Sequence, residues 1–274
     1  MKKLVLTAAL VLFPLCSSAA IQYDFLQKTT TEDAVTPTTD LTARATIDGE
    51  RSRVEFLAGN LYPPGTYVVS TDGAHRLFFV DPTRRWYTEF NAAGVATAIG
   101  ASNIKIENFK SNTTRLTDRS TIAGLDAEHW QTTVTYDITL VLRAIPLRQN
   151  VRTVIDNWTT SRYGAVAQNA LAGSTLHTGN PAVDQILDAE TGKVTGLPLR
   201  QQVTIKTTLD LPPIQSELKV PNTRTIMREM WVTAVREVPP DPALFVVPAG
   251  YRRADTPELP KSATETLTFE PSSK

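Results

Sequence analysis

The chain has 274 residues with 28 basic and 28 acidic side chains, and its one cysteine is Cys16. That balance provides no basic surface for nucleic acid, and one cysteine provides neither a disulfide framework nor a thiolate metal site. With 41% hydrophobic residues over this length, the chain can bury a sizeable core.

Residues 1–20 read as an export signal. Lys2 and Lys3 precede an apolar run over residues 4–15, broken only by Thr7 and Pro14, and Ser18-Ala19-Ala20 offers small residues for cleavage before Ile21. The run is shorter than the roughly 20 residues that a membrane-spanning helix needs. Cys16 follows the bulky Leu15, which argues against a lipidated cysteine and for a periplasmic or secreted product. Cleavage after Ala20 would leave 274 − 20 = 254 residues with 26 basic and 28 acidic side chains, a net charge of −2.

From Ile21 the chain reads as short strands punctuated by turns. Ile21, Tyr23 and Phe25 alternate with polar residues, as do Leu41, Ala43, Ala45 and Ile47. Asp48-Gly49 predicts a hairpin into Val54 and Phe56. Further turns fall at Pro63-Pro64-Gly65, Thr71-Asp72-Gly73 and Asp81-Pro82-Thr83, with strands over 66–70, 76–80 and 85–90 between them. Residues 91–100 are Ala-rich and form a short helix or a loop. Ile104 and Ile106 open another strand, and residues 115–119 form a separate, weaker one.

The stretch 129–142 organises the rest. Trp130, Val134, Tyr136, Ile138, Leu140 and Leu142 share one parity; His129, Gln131, Thr133, Thr135, Asp137 and Thr139 share the other. This predicts one apolar and one wet face on a strand long enough to require a large, curved sheet. Pro146 is expected to end its ladder, because proline has no N–H to donate. Strand structure resumes over 152–158, and residues 161–179 are expected to be a loop.

Asn180 and Pro181 then suit the cap and first position of a helix with Val183, Ile186 and Leu187 on its apolar face. Asp184, Asp188 and Glu190 are assigned to its solvated side. Leu199, Val203, Ile205 and Leu209 alternate in a further strand, and residues 225–235 are apolar on both parities, as if covered on both faces. In Pro239–Tyr251 a strand ending at Phe245-Val246-Val247 is expected, closed by Pro248 and a bend at Gly250. Residues 254–274 are too polar to order themselves. The division is therefore a signal over 1–20, one β-rich domain over 21–253, and a tail.

The segment Leu244-Phe245-Val246-Val247-Pro248-Ala249-Gly250-Tyr251 resembles the closing motif of exported bacterial proteins of the DUF4412 and outer-membrane lipoprotein-sorting type; Gly196-Leu197-Pro198-Leu199-Arg200 resembles an upstream phrase of theirs. The resemblance implies a mainly β fold, a strongly curved antiparallel sheet forming an incomplete barrel with one or a few helices on its concave side. It also implies a cavity that takes lipid or lipoprotein acyl chains. Trp130, Val134, Tyr136, Ile138, Leu140 and Leu142 are the expected lining of such a cavity. The alternative is a secreted structural or protein-interaction module whose concave face is filled by its own side chains.

Catalytic signals are absent. His75, His129 and His177 lie far apart in sequence, and there is neither a paired-histidine metal motif nor a serine elbow. His129 is expected to be a residue of the wet face. Arg84-Arg85 and Arg252-Arg253 read as solvated charges flanking strands. The expectation is a non-enzymatic monomer without cofactor or metal, and without a membrane-spanning segment.

Overall fold

The structure, a computed structural model, describes residues 19–32, 38–73, 76–91, 104–142, 145–163, 180–191, 194–210 and 222–254. The expected leader, helix-or-loop segment, glycine-rich loop and tail over 1–18, 92–100, 164–179 and 255–274 lie outside the described residues, as do His75 and His177.

Twelve strands form one sheet: β1 (Ala20–Thr31), β2 (Thr39–Asp48), β3 (Arg51–Gly59), β4 (Tyr67–Ser70), β5 (Arg76–Asp81), β6 (Trp86–Asn91), β7 (Lys105–Ile122), β8 (Leu125–Leu142), β9 (Ile145–Thr160), β10 (Leu197–Asp210), β11 (Thr223–Val238) and β12 (Arg252–Arg253). Their order is β12-β6-β5-β4-β3-β2-β1-β11-β10-β9-β8-β7, so two antiparallel meanders meet at β1. The sheet is curved and does not close into a barrel. Consecutive strands β6 and β7 stand near opposite margins, ten spacings apart. Ten flat spacings measure about 48 Å, close to the limit of about 50 Å for the 105 − 91 = 14 chain steps between them. Curvature relieves that limit.

The predicted alternation holds where one face is dry. Tyr23, Phe25, Leu41, Ala43, Ala45 and Ile47 are all buried and belong to one core cluster with Val54, Phe56, Phe79, Leu199, Met230 and Val232. On the other face of β1, Asp24 pairs with Arg44 at 2.7 Å. Gly49 turns the first hairpin with φ +63°, and Ala123-Gly124 turns β7 into β8 with both residues at positive φ.

Four expectations change. The two strands expected around 104–119 are one, β7, kept continuous by bulges at Glu107/Lys110 and Arg115/Arg119 that absorb its irregular pattern. Pro146 does not end the sheet; it pairs with Val141 inside β9. The described ladder to β10 stops at Arg148, so among the described residues Pro146 has only β8 as a partner, where a missing N–H costs little. β11 is not covered on both faces, for Met227 is 41% exposed. Finally, Pro242–Phe245 is a 3-10 turn, not a strand: Asp241 accepts from the Ala243 N–H at 3.0 Å and Pro242 takes the first position.

That turn lays the closing segment over the first meander. Phe245 is buried, the Arg51 guanidinium stands 5.3 Å from its ring centre, and Arg53 donates to the Leu244 carbonyl. Val247 and Tyr251 pack on Tyr67, Val69 and Val80. Gly250 bends at φ +79° and delivers β12 parallel to β6. Arg84 and Arg253, expected as solvated charges, are more than half exposed and also ion-paired, Arg84 with Asp81 at 3.8 Å and Arg253 with Glu89 at 3.6 Å.

Candidate functional site

Helix α1 (Pro181–Thr191) starts as its sequence predicts. The Asn180 side chain accepts from the N–H groups of Ala182 at 3.0 Å and Val183 at 3.4 Å, which satisfies two donors of the first turn. Ile186 is buried, and the helix packs against β7 and β8.

Glu190 shows which face of the sheet the helix covers. Burial, the larger effect, pushes the pKa of its carboxyl up, against the nearby charge of Arg228 and the Thr153 hydroxyl. Tyr136 is raised first by its own burial and then by the nearby Glu190. Thr153 is directly opposite Val134 in an unshifted β8–β9 ladder, so Trp130, Val134, Tyr136 and Ile138 share the helix side. Glu190 therefore does not belong to the solvated side of α1. It stands at helical spacing from Val183, Ile186 and Leu187, and points with them to the sheet.

The cross-strand partners carry this face onward. Trp130, Asn157, Gln201, Met230, Gln27 and Leu41 are successive neighbours across six strands, and Met230 and Leu41 belong to the main core. The helix side of β8 is thus continuous with the face around which the sheet folds. Within it Val134 is fully buried, while Trp130, Tyr136 and Ile138 are half-buried. The side chains of Leu140 and Leu142, at the same parity, lie outside the described residues.

The opposite face of β8 is not simply wet. Leu125, Ala127 and His129 are buried near the β7–β8 turn, and the buried parity changes between His129 and Thr132. His129, expected in water, is 8% exposed and stacks on Trp158 with centroids 4.1 Å apart. Its Nδ1 is 2.8 Å from Asp118 on β7, and its Nε2 is 3.0 Å from Asp156 on β9. Gln131 also donates to Asp156, and Arg200 lies over the Trp158 ring at 4.5 Å. These partners lie 11 and 27 residues from His129, so no local motif announces them. Both ring nitrogens thus lie within hydrogen-bond distance of a carboxylate. As built, the cluster clamps three strands together.

Among the described residues no group of three His, Cys, Asp or Glu side chains could hold a metal ion, and no helix is long and apolar enough to cross a membrane.

No protein-family model matches the sequence, and no curated protein matches it. Among solved structures, the chain is similar to a LolA superfamily protein from Nitrosomonas europaea at 9% identity, covering 85% of this chain and 91% of that one, with a TM-score of 0.29. A TM-score that low leaves the fold to rest on the strand order and register of this chain.

Proposed function

We propose that this is an exported, periplasmic protein that binds lipid or acyl chains on the helix-covered face of its curved sheet. One observation carries this reading: the apolar field on that face is larger than the helix above it. An 11-residue helix is about 16 Å long, whereas the apolar stretch of β8 on this face, from Trp130 to Ile138, extends about 27 Å. Beyond the buried Val134, Val151, Ile155 and Val203, the field continues through the half-buried Trp130, Tyr136, Ile138, Ile205 and Leu209. Each acyl CH₂ buried there would contribute about 0.8 kcal/mol, enough for a long chain to bind through contact area alone. The closing motif and the basic, then apolar, leader support the same reading. Leu140 and Leu142 extend the proposed lining by parity.

The competing reading, a module whose face is filled by its own side chains, is favoured at Val134, which has no exposed surface. Extraction of natively purified protein with organic solvent, followed by mass spectrometry, separates the two. Stoichiometric lipid is expected. Its absence, together with failure to bind any long-chain probe, would leave the filled module.

A further inference from the structure

The sheet carries a row of like charges on the face turned away from α1. Thr135, Arg152 and Lys206 alternate with Val134, Thr153 and Ile205, so they point to the side opposite the one the helix covers. Lys110, Thr135, Arg152, Lys206 and Thr225 are successive neighbours from β7 to β11. Lys110, Arg152 and Lys206 are exposed, and among the described residues none of the three has an ion pair. The next row, Asn112, Thr133, Val154, Thr204 and Met227, contains no carboxylate. On the other side stands Asp137, whose carboxylate already collects Asn150, Asn108 and Arg148, and Glu107 opposite it is held by Lys105 at 2.8 Å. Along the row itself the first acid is Glu32, two strands beyond Lys206, where its N–H donates to the Thr225 carbonyl.

Like charges directly opposite each other destabilise a sheet, and Arg152 and Lys206 are directly opposite. The three cations stand within about 14 Å of one another across the strands, and no carboxylate beside them relieves the repulsion. The overall balance of 28 basic and 28 acidic side chains conceals this local excess. Apolar side chains accompany it on the same face. Met227, diagonal to Lys206, is 41% exposed; Leu26, opposite the half-buried Trp231 further along β11, is 43% exposed. An acidic protein surface would match the charges alone. Cations beside exposed, flexible apolar side chains match both layers of an anionic bilayer, the phosphates at its surface and the hydrocarbon beneath. We propose that the outward face of β7–β11 docks the protein on an anionic lipid bilayer, with Lys110, Arg152 and Lys206 on the head groups and Met227 and Leu26 at the acyl boundary. This surface lies on the face opposite the proposed acyl-chain site and does not depend on it.

The test is flotation of the full mature chain with vesicles of phosphatidylcholine alone, or of phosphatidylcholine mixed equally with phosphatidylglycerol. The protein is expected to float with the mixed vesicles only, and to be released as salt is raised. A cation close to an anionic surface is worth about fivefold in binding. Lys110→Gln, Arg152→Gln and Lys206→Gln together should therefore weaken docking about a hundredfold, while the urea midpoint holds or rises because the repulsion is gone. Arg76→Gln, Arg84→Gln and Arg253→Gln, on the first meander, remove the same charge and should float like the parent. Met227→Ser with Leu26→Ser should weaken docking several-fold. Equal flotation with both kinds of vesicle, a triple variant that binds like the parent, or an equal loss in the first-meander variant overturns the proposal. Undiminished flotation of the Met227 and Leu26 variant would show adsorption by charge alone, which an acidic protein would share, and overturns the bilayer as the occupant. If the triple variant fails to fold, Thr135→Asp still decides. It sets a carboxylate between Lys110 and Arg152 and should weaken docking at least fivefold, so unchanged flotation contradicts the proposal. Failure of docking leaves the acyl-chain reading untouched, because lipid extracted with the purified protein is measured without vesicles.

Discussion

Asp137 occupies the crossing of β7, β8 and β9, and its carboxylate collects three donors. Asn150 donates at 2.9 Å, Asn108 at 2.6 Å and the Arg148 guanidinium at 2.6 Å. In that order, these hydrogen bonds hold its pKa down at about 2. Asn108 lies at the first bulge of β7 with φ +55°, a conformation that Asn tolerates better than most residues, so one carboxylate also pins the bulge. Alternation places Asp137 on the wet parity, yet it is 8% exposed and fully partnered. A carboxyl whose folded pKa is lowered below the unfolded value of about 3.9 adds stability above that pH. The contribution is lost as pH falls through about 2. Asp137→Ala should therefore cost about 1–3 kcal/mol at neutral pH, as expected for hydrogen bonds to a charged group. The gap between parent and variant should close on acidification across that window. Urea midpoints for both proteins along the pH series measure it; a gap that stays constant would show that the ionised carboxylate is not what stabilises the crossing.

At the scale of the element, β8 makes opposite demands at neighbouring positions. Val134 is fully buried on the helix side, so Val134→Asp would place an unpaired charge out of water and should cost about 3–5 kcal/mol. Thr135 stands directly between Lys110 and Arg152, so Thr135→Asp gains two cross-strand cations and should change stability by no more than about 0.5 kcal/mol. Similar losses of urea midpoint in both variants would contradict this assignment of faces. The strands with one dry face, such as β1 and β2, were legible because a period of two has only one physical meaning there. Less was legible where tertiary partners decide. His129 reads as a wet residue because Asp118, Asp156 and Trp158 reach it only through strand pairing. Glu190 was legible in principle, since Val183, Ile186, Leu187 and Glu190 fall at i, i+3, i+4 and i+7 on one helix face. A charge at such a position is easily assigned to solvent when the sheet beneath is unknown. Pro146 misleads for a related reason: a proline ends a ladder only where a partner strand needs its N–H, and among the described residues β10 ends before reaching it.

On the scale of the whole molecule, the first strand of the described chain lies in the middle of the sheet. β1 pairs with β2 on one side and with β11 on the other, so its second ladder forms only once nearly the whole chain is present. Contacts of such long sequence separation close late and slowly. The same strand joins the two meanders energetically. Phe25 is 2% exposed, lies opposite Val232 across one ladder and Ala43 across the other, and belongs to a core cluster with residues from both halves. Removing its ring should cost about 3–5 kcal/mol, the usual range for a buried Phe→Ala change. Because the cavity opens at the junction, the loss should fall on both meanders together. The tryptophans report on the halves separately in location: Trp86 lies in the first, and Trp130, Trp158 and Trp231 lie in the second. In Phe25→Ala, tryptophan fluorescence and far-ultraviolet circular dichroism should still trace one coincident urea transition, shifted to a lower midpoint. Separation into two transitions, with only one of them displaced, would show that the meanders fold as independent units and that β1 is an appendage of one of them.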